Sequence, residues 1–309
     1  MTRKLSDLIS TLMPDAVIAV SGDAQITAPV SESADEVLPG GVFVARQGKS
    51  VDGHDFILNA IERGAAAIVG EKAMPKLNVP YAQVLDSQQA LGWLAAAYHD
   101  FPSRKLIVIG VTGTDGKTTT CTLIHRILEV ATVGKAGLIS TITADLGNAK
   151  ADTGLHVTTP SAPKIQEFLA QMVANGLTHA VIEMTSHGLA QGRLNGVDID
   201  VAVLTNLTHE HLDYHGSFEH YRAAKAIMFE MLMKSTRKVD EWDKTVPKIS
   251  VVNADDPNAD FFAVIPADKI VTYWIQNEAV FRAKNIGFLP SETHFETDES
   301  LWRKAINGG

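Results

Sequence analysis

Apolar residues along this chain follow two rhythms. Short apolar runs at residues 16–20, 41–44, 65–69, 106–109, 136–143, 180–184, 201–204, 249–252 and 269–274 read as strands, and the unalternating run at 106–109 reads as one buried on both faces of a parallel sheet. Between them, apolar positions recur at spacings of three and four, the mark of helices that bury one face, at 54–63, 88–99, 117–130, 161–175 and 218–233. In 161–175 the repeating set is Ile165, Phe168, Leu169, Met172 and Val173, and Gly176 supplies the stop. Pro102 ends the helix of 88–99, and a further amphipathic helix is expected at the N-terminus. Strands alternating with helices predict an α/β protein: a small α/β unit over 1–103, then a doubly wound, mostly parallel sheet over 104–309 with its site at the carboxyl ends of the strands.

The run at 106–109 leads into GVTGTDGKTTT, with glycines at Gly110, Gly113 and Gly116, then Lys117 and three threonines that open the next helix. Strand, glycine-rich turn and helix together make a phosphate cradle. Backbone N–H groups converge on an anion, Lys117 reaches the β- and γ-phosphates, and the Thr118 hydroxyl is placed to hold Mg²⁺. The spacing departs from the usual phosphate-loop pattern, because Val111 stands five positions before Gly116 and Gly110 comes one residue early.

Composition narrows the setting. The 309 residues are 45% hydrophobic and 20% charged, and no apolar run approaches the length of a membrane span, so two domains without a membrane segment are expected. Asp7 interrupts the N-terminal stretch before any apolar core, which argues against a secretory signal and for the cytoplasm. The single cysteine, Cys121, excludes an intrachain disulfide and reads as a small buried residue. A net charge of −9 speaks against a broad nucleic-acid-binding surface.

Polar residues gather where two later strands end. Glu183, Thr185, Ser186, His187, Gln191 and Arg193 follow one, and the stretch from Thr205 to His215 follows the other. Within it His209 and His211, with Glu210 and Asp213, have a metal-ligand spacing that suits Mg²⁺ or Mn²⁺ as well as zinc; a hydrated loop is the alternative. Thr158 and Thr159 are held extended before Pro160, their hydroxyls free to point outward. In the helix of 218–233, the row Phe218, Tyr221, Lys225, Met228, Leu232 puts Lys225 on the apolar face. Either its stem lies along the core with the ammonium in water, or its amine meets a ligand or is chemically changed. Asn253 ends a strand within reach of a base or ribose, although Asn253-Ala254-Asp255-Asp256-Pro257 is also a good turn. The charged stretch 234–248 reads as exposed.

Several long, ordered motifs resemble those of the Mur ligases: GVTGTDGKTTT from Gly110, TTP from Thr158, EMTSHGLAQGR from Glu183, TNLTHEHLDYHGSFEHYRAAKAIMF from Thr205 and VVNADDP from Val251. In the first unit, PGGVFVARQGKSVDGHDFILNAIERGAAAIV resembles the family's uridine-nucleotide domain. The resemblance implies an ATP-dependent amide ligase of peptidoglycan precursor synthesis, in which ATP phosphorylates a carboxylate and an amine displaces phosphate from the acyl phosphate. It is strongest to the branch that adds the third amino acid, diaminopimelate or lysine, to a UDP-N-acetylmuramoyl dipeptide. Carried over by motif, Gly113, Thr114, Asp115, Gly116, Lys117, Thr118 and Thr119 hold ATP, with Asn253 near the adenosine. Thr118, Glu183, His211 and Lys225 hold Mg²⁺ or Mn²⁺, the lysine as a carbamate formed with CO₂, and Lys117, Glu183, His211 and Lys225 serve catalysis. A carbamate turns a buried cation into an anion that can ligate the metal. Thr158, Thr159, Thr185, Gln191 and Arg193 match positions that hold the UDP-muramoyl peptide. The implied partners are that peptide and an amino acid, with no nucleic acid and no membrane, and a monomer is expected.

This sequence departs from the family pattern at four places. Ser33-Ala34-Asp35 stands where Asp-Ser-Arg is usual, which removes an arginine from the uridine-nucleotide region; Asp115 replaces asparagine, and Thr185 replaces serine. The family's third domain, which brings the amino acid, would follow Gly309, so a two-domain form without amino-acid recognition is expected. Two other readings compete. Another phosphate-loop hydrolase or phosphotransferase would have no use for TTP, the Gln191/Arg193 pair or a lysine in the core. A non-catalytic nucleotide-binding remnant of the family is the second.

Overall fold

A computed structural model describes residues 2–48, 51–153, 159–208, 210, 212–240, 242–275, 280–289 and 292–297. The chain opens with β1 (Arg3–Lys4), α1 (Leu5–Ile9), β2 (Val17–Ser21), β3 (Gln25–Ile26), β4 (Val30–Ser31), β5 (Val42–Val44), α2 (Ile57–Glu62), β6 (Ala67–Gly70), β7 (Tyr81–Val84) and α3 (Ser87–Tyr98). Over the described residues β4 to β7 pair in parallel and β2 adds antiparallel to β7, giving the order β2-β7-β6-β5-β4. Every residue of β5 and β6 is buried, because α1 and α3 cover one face and α2 the other. The expected N-terminal helix is short. Ser10 and Thr11 turn their hydroxyls back onto the Asp7 and Leu8 carbonyls, local bonds that compete with helix continuation, and Pro14 follows.

Pro102 to Lys105 form one tight turn that delivers the chain into a second sheet. Its elements are β8 (Ile107–Thr112), α4 (Lys117–Ala131), β9 (Ala136–Ile139), β10 (Thr143–Asp145), β11 (Lys150–Asp152), α5 (Ala162–Ala174), β12 (His179–Glu183), α6 (Ser186–Ala190), β13 (Val201–Leu204), α7 (Leu212–His215), α8 (Phe218–Lys234), β14 (Ile249–Asn253), α9 (Ala259–Ala263), β15 (Lys269–Trp274) and β16 (Phe281–Arg282). Beyond them, β17 (Lys284–Leu289) and β18 (Glu292–Glu296) form a separate antiparallel hairpin. The large sheet runs β11-β10-β9-β12-β8-β13-β14-β15-β16 and is parallel from β9 to β16. α5 and α8 pack on one face, and α4 covers part of the other. β8 lies between β12 and β13, so the chain reverses its direction of travel across the sheet there, and a crevice opens at the strand's carboxyl end. No helix among the described residues is long and apolar enough to cross a membrane.

Three details differ from the sequence pattern. The run 136–143 is two strands: the Ser140 amide and hydroxyl both bond the Thr143 carbonyl, and β10 returns antiparallel to β9. Gly110 belongs to β8 rather than to the turn after it. A Cβ there would stand 2.9 Å from the sulfurs of both Met184 and Met228, so this glycine serves packing. The charged stretch 234–248 is not wholly exposed, because Lys238 and Lys248 are buried on either side of Asp200. Lys238 Nζ lies 2.5 Å from Asp200 Oδ2 and Lys248 Nζ 2.9 Å from Oδ1, while backbone carbonyls take the remaining ammonium protons.

Candidate functional site

The crevice at the carboxyl ends of β8, β12 and β13 gathers most of the residues singled out by sequence. The loop between β8 and α4 is clamped from β13. Thr114 N–H donates to the Asn206 carbonyl at 2.8 Å, Asp115 N–H to Asn206 Oδ1 at 2.9 Å, and the Thr205 hydroxyl to the Asp115 carbonyl at 2.7 Å. Gly113 has φ 152°, and a Cβ there would lie 1.8 Å from Thr205 Oγ1; Gly116, with φ 75°, starts α4 in the left-handed region. The loop therefore presents backbone N–H groups at the N-terminus of a 15-residue helix, an electropositive cradle. Lys117 Nζ folds back to the Thr114 carbonyl at 2.6 Å, and Thr119 stands exposed two positions on.

Thr118 Oγ1 donates to Glu183 Oε2 at 2.9 Å, joining the start of α4 to the end of β12, and the Thr141 amide donates to the same oxygen at 3.0 Å. A hydroxyl and a buried carboxylate in contact are hard oxygen donors of the kind Mg²⁺ takes. His211 and Thr158 lie outside the described residues. Among those described, no three histidine, cysteine, aspartate or glutamate side chains are grouped to hold a metal.

Lys225 is 1% exposed on α8. Its Nζ donates to the Gly113 carbonyl at 2.6 Å and lies 4.4 Å above the Tyr221 ring. Burial, then the nearby Lys117 charge, lower its pKa to about 7, against weaker support from Glu210 and Asp115. The sequence placed this lysine in the core. The structure adds that the amine faces the glycine-rich loop.

A second group lies beside the first. Thr159 and Thr185 share a hydroxyl contact of 2.7 Å, and Thr185 caps α6 by accepting from the Gly188 amide. Arg193 donates through NH1 to the Thr159 carbonyl at 2.5 Å and through Nε to Gln191 Oε1 at 2.9 Å, while Gln191 Nε2 donates to the Tyr214 hydroxyl at 3.0 Å. Asn253 adjoins the clamp of the glycine-rich loop. It donates to the Thr205 carbonyl at 2.8 Å, closes the expected turn by accepting from the Asp255 amide, and lines a cavity of about 470 Å³ with Asn206, Thr208, Phe218 and Asn258.

Sequence reasoning missed the clamps and supports. Thr205 and Asn206 were visible only as polar residues after a strand. Tyr221, in the same helical row as Lys225, binds Thr114 Oγ1 at 3.0 Å through its hydroxyl. Gln88, from the first unit, donates to the Gln191 carbonyl and accepts from Arg46, a link between the units that no local pattern signals.

The Mur ligase middle domain family matches residues 111–306, and the Mur ligase family catalytic domain matches residues 30–99. A UDP-N-acetylmuramoyl-L-alanyl-D-glutamate--2,6-diaminopimelate ligase of Geobacillus thermodenitrificans is 40% identical over 293 residues, which are 95% of this chain and 58% of the relative. A UDP-N-acetylmuramyl-tripeptide synthetase of Roseiflexus sp. is 42% identical over 262 residues, 81% of this chain and 50% of the relative. Among solved structures, a UDP-N-acetylmuramoyl-L-alanyl-D-glutamate--2,6-diaminopimelate ligase superposes with a TM-score of 0.69 at 29% identity, covering 87% of this chain and 53% of that one. A MurF ligase from Thermotoga maritima in complex with ADP gives 0.55 at 26%, covering 88% and 56%. The chain spans about half the length of the curated relatives it matches. With matches that reach across both of its sheets, the chain belongs to the Mur ligase family.

Proposed function

We propose that this chain provides the UDP-muramoyl-peptide and ATP sites of an ATP-dependent acid–amino-acid ligase in peptidoglycan precursor synthesis. The reaction extends UDP-N-acetylmuramoyl-L-alanyl-D-glutamate by a third amino acid, diaminopimelate or lysine. The observation that carries the reading is the Thr118–Glu183 contact at the mouth of the glycine-rich loop, where buried Lys225 also bonds the loop and Thr185, two residues past Glu183, begins the Thr159/Thr185/Arg193 group. Residues 1–103 form the uridine-nucleotide domain and residues 104–309 the ATP-binding domain. A cytoplasmic location and a monomeric state complete the reading.

Each residue then has a task. The loop from Gly113 to Thr119 holds the ATP phosphates through the backbone N–H groups at the start of α4, those of Thr114 and Asp115 being taken by Asn206, and Lys117 leaves the Thr114 carbonyl to neutralise them. Asn253 and its cavity receive the adenosine. Thr118, Glu183, His211 and carbamylated Lys225 are the residues that would hold Mg²⁺ or Mn²⁺, which when bound screens the charge of the phosphates. Thr158, Thr159, Thr185, Gln191 and Arg193 hold the muramoyl peptide, with Arg193 on an anionic group. A carboxylate oxygen of the peptide attacks the γ-phosphorus and ADP leaves. The amine of the incoming amino acid then attacks the acyl carbon, phosphate leaves with the acyl oxygen, and the amine loses its proton. At Lys225 the neutral amine adds to CO₂, forming a nitrogen–carbon bond and releasing one proton; burial keeps that neutral form available near pH 7.

Calorimetric titration with Mg–ADP and with UDP-N-acetylmuramoyl-L-alanyl-D-glutamate tests the reading. Binding of both supports it, and binding of neither sinks it. Binding of ADP alone would favour a nucleotide-binding remnant, the reading to which Ser33-Ala34-Asp35 inclines.

A further inference from the structure

A cavity of about 310 Å³ opens beside the first sheet, with the Glu32 and Asp35 carboxylates on its wall and Arg46, just past β5, as the cation among its described lining residues. Two carboxylates against one guanidinium leave the described wall acidic, so Arg46 is the group there that can meet an anionic ligand. The guanidinium is also the start of a hydrogen-bonded chain between the two sheets. It pairs with Glu32 and donates through NH1 to Gln88 Oε1. Gln88 Nε2 donates to the Gln191 carbonyl at 2.7 Å, and Gln191 Oε1 accepts from Arg193 Nε at 2.9 Å. Arg46 Nε is buried and has no acceptor. A buried donor left unpaired carries a desolvation cost that an incoming oxyanion would remove. Burial lowers the pKa of Arg193 first, and across the joint Glu32 supports its charge while Arg46 opposes it.

We propose that Arg46 is a binding residue for the diphosphate of the uridine substrate, standing at the joint between the cavity of the first sheet and the Arg193 group of the second. The inference rests on the substrate class proposed above. It makes Arg46 the cation that the Ser33-Ala34-Asp35 segment does not supply, and it makes the link through Gln88 the means by which a ligand seated on the first sheet orients Gln191 and Arg193.

The test is titration of the purified chain with UDP-N-acetylmuramoyl-L-alanyl-D-glutamate and, separately, with Mg–ADP, for wild type, Arg46→Gln and Arg46→Lys. Arg46→Gln should weaken the uridine ligand by about tenfold or more, with Arg46→Lys recovering part of the loss through charge alone, and should leave ADP affinity unchanged. Equal affinity of wild type and Arg46→Gln for the uridine ligand overturns the proposal. So does a parallel loss of ADP affinity, which would make Arg46 a structural link only. Should Arg46→Gln not fold, Arg46→Lys serves in its place: weaker uridine-ligand binding at unchanged ADP affinity supports the proposal, and wild-type affinity for the uridine ligand overturns it. A wild-type chain that binds ADP but not the uridine ligand removes the substrate reading itself, and this inference with it, so the wild-type titration tells the two failures apart.

Discussion

Among the described residues Lys225 donates one hydrogen bond, to a backbone carbonyl, and it is almost wholly removed from water, which makes its charged form expensive. Its folded pKa of about 7 lies below the unfolded value, so between the two the unfolded chain binds the extra proton and stability rises with pH; below about 7 the folded chain carries the charge at full cost. In metal-free, CO₂-free buffer, Lys225→Met should therefore be more stable than wild type at about pH 6, by on the order of 1–3 kcal/mol, and the gap should narrow toward about pH 9. Urea denaturation across that range measures it, and a gap that stays constant would contradict the cause given. With ¹³C-bicarbonate at mildly alkaline pH, wild type should show a carbamate carbon resonance that Lys225→Met lacks; a wild type without that signal would remove the carbamate from the proposed site. Lys117 offers a simpler test, since its ammonium donates to the loop's own Thr114 carbonyl. Lys117→Ala should weaken Mg–ADP binding by at least about tenfold with little change in melting temperature, because the lost bond is partly exposed and the gained ligand contact is charge-assisted. Unchanged affinity would show that the loop does not hold phosphate through this lysine.

At the scale of elements, the second sheet was legible wherever an apolar run lay between two turns. β13 and β15 fall on their predicted residues, and the helix that begins at Lys117 matches at its first turn. Legibility failed where tertiary contacts override composition. β7, Tyr81-Ala82-Gln83-Val84, is short and carries a glutamine, and it becomes a strand because β6 and β2 pair with its two edges. Lys238 and Lys248 read as solvated because they sit in a charged stretch. Their partner, Asp200, lies in a distant segment, where its Oδ2 also accepts the Val108 amide at the start of β8. Asp200→Ala would leave two buried ammonium groups without their carboxylate and that amide without its acceptor. A loss of about 3–5 kcal/mol in denaturant unfolding is expected. A loss below about 1 kcal/mol would mean that backbone carbonyls alone satisfy both lysines.

For the whole molecule, the question is what fixes the first sheet against the second, since the proposed substrate must touch both. Helix α3 carries the contact. Gln88 and Gln89 reach Gln191 and Asn195 in the segment after α6, and at Gly92 the helix comes so close to that segment that an added Cβ would lie 2.7 Å from the Asn195 carbonyl oxygen and 2.8 Å from Asn195 Cβ. Gly196 approaches from the other side, where a Cβ would stand 2.5 Å from that of Ala96. A glycine inside a helix costs about 1 kcal/mol relative to alanine, so without this contact a substitution at position 92 should stabilise the chain. The backbone contact reverses that expectation, because a branched side chain there must push the segment 191–196, and with it Gln191 and Arg193, away from α3. Gly92→Val should destabilise the fold by about 1–3 kcal/mol through overpacking. It should also weaken the UDP-muramoyl dipeptide at least as much as Arg46→Gln does, while Mg–ADP affinity stays close to wild type, since the loop from Gly113 to Thr119 is clamped from β13 and makes no use of α3. Calorimetry with the two ligands separates these effects. Equal losses for both would show that the two sites are not independently positioned, and no loss for either would show that the seam between the sheets tolerates displacement without moving Arg193.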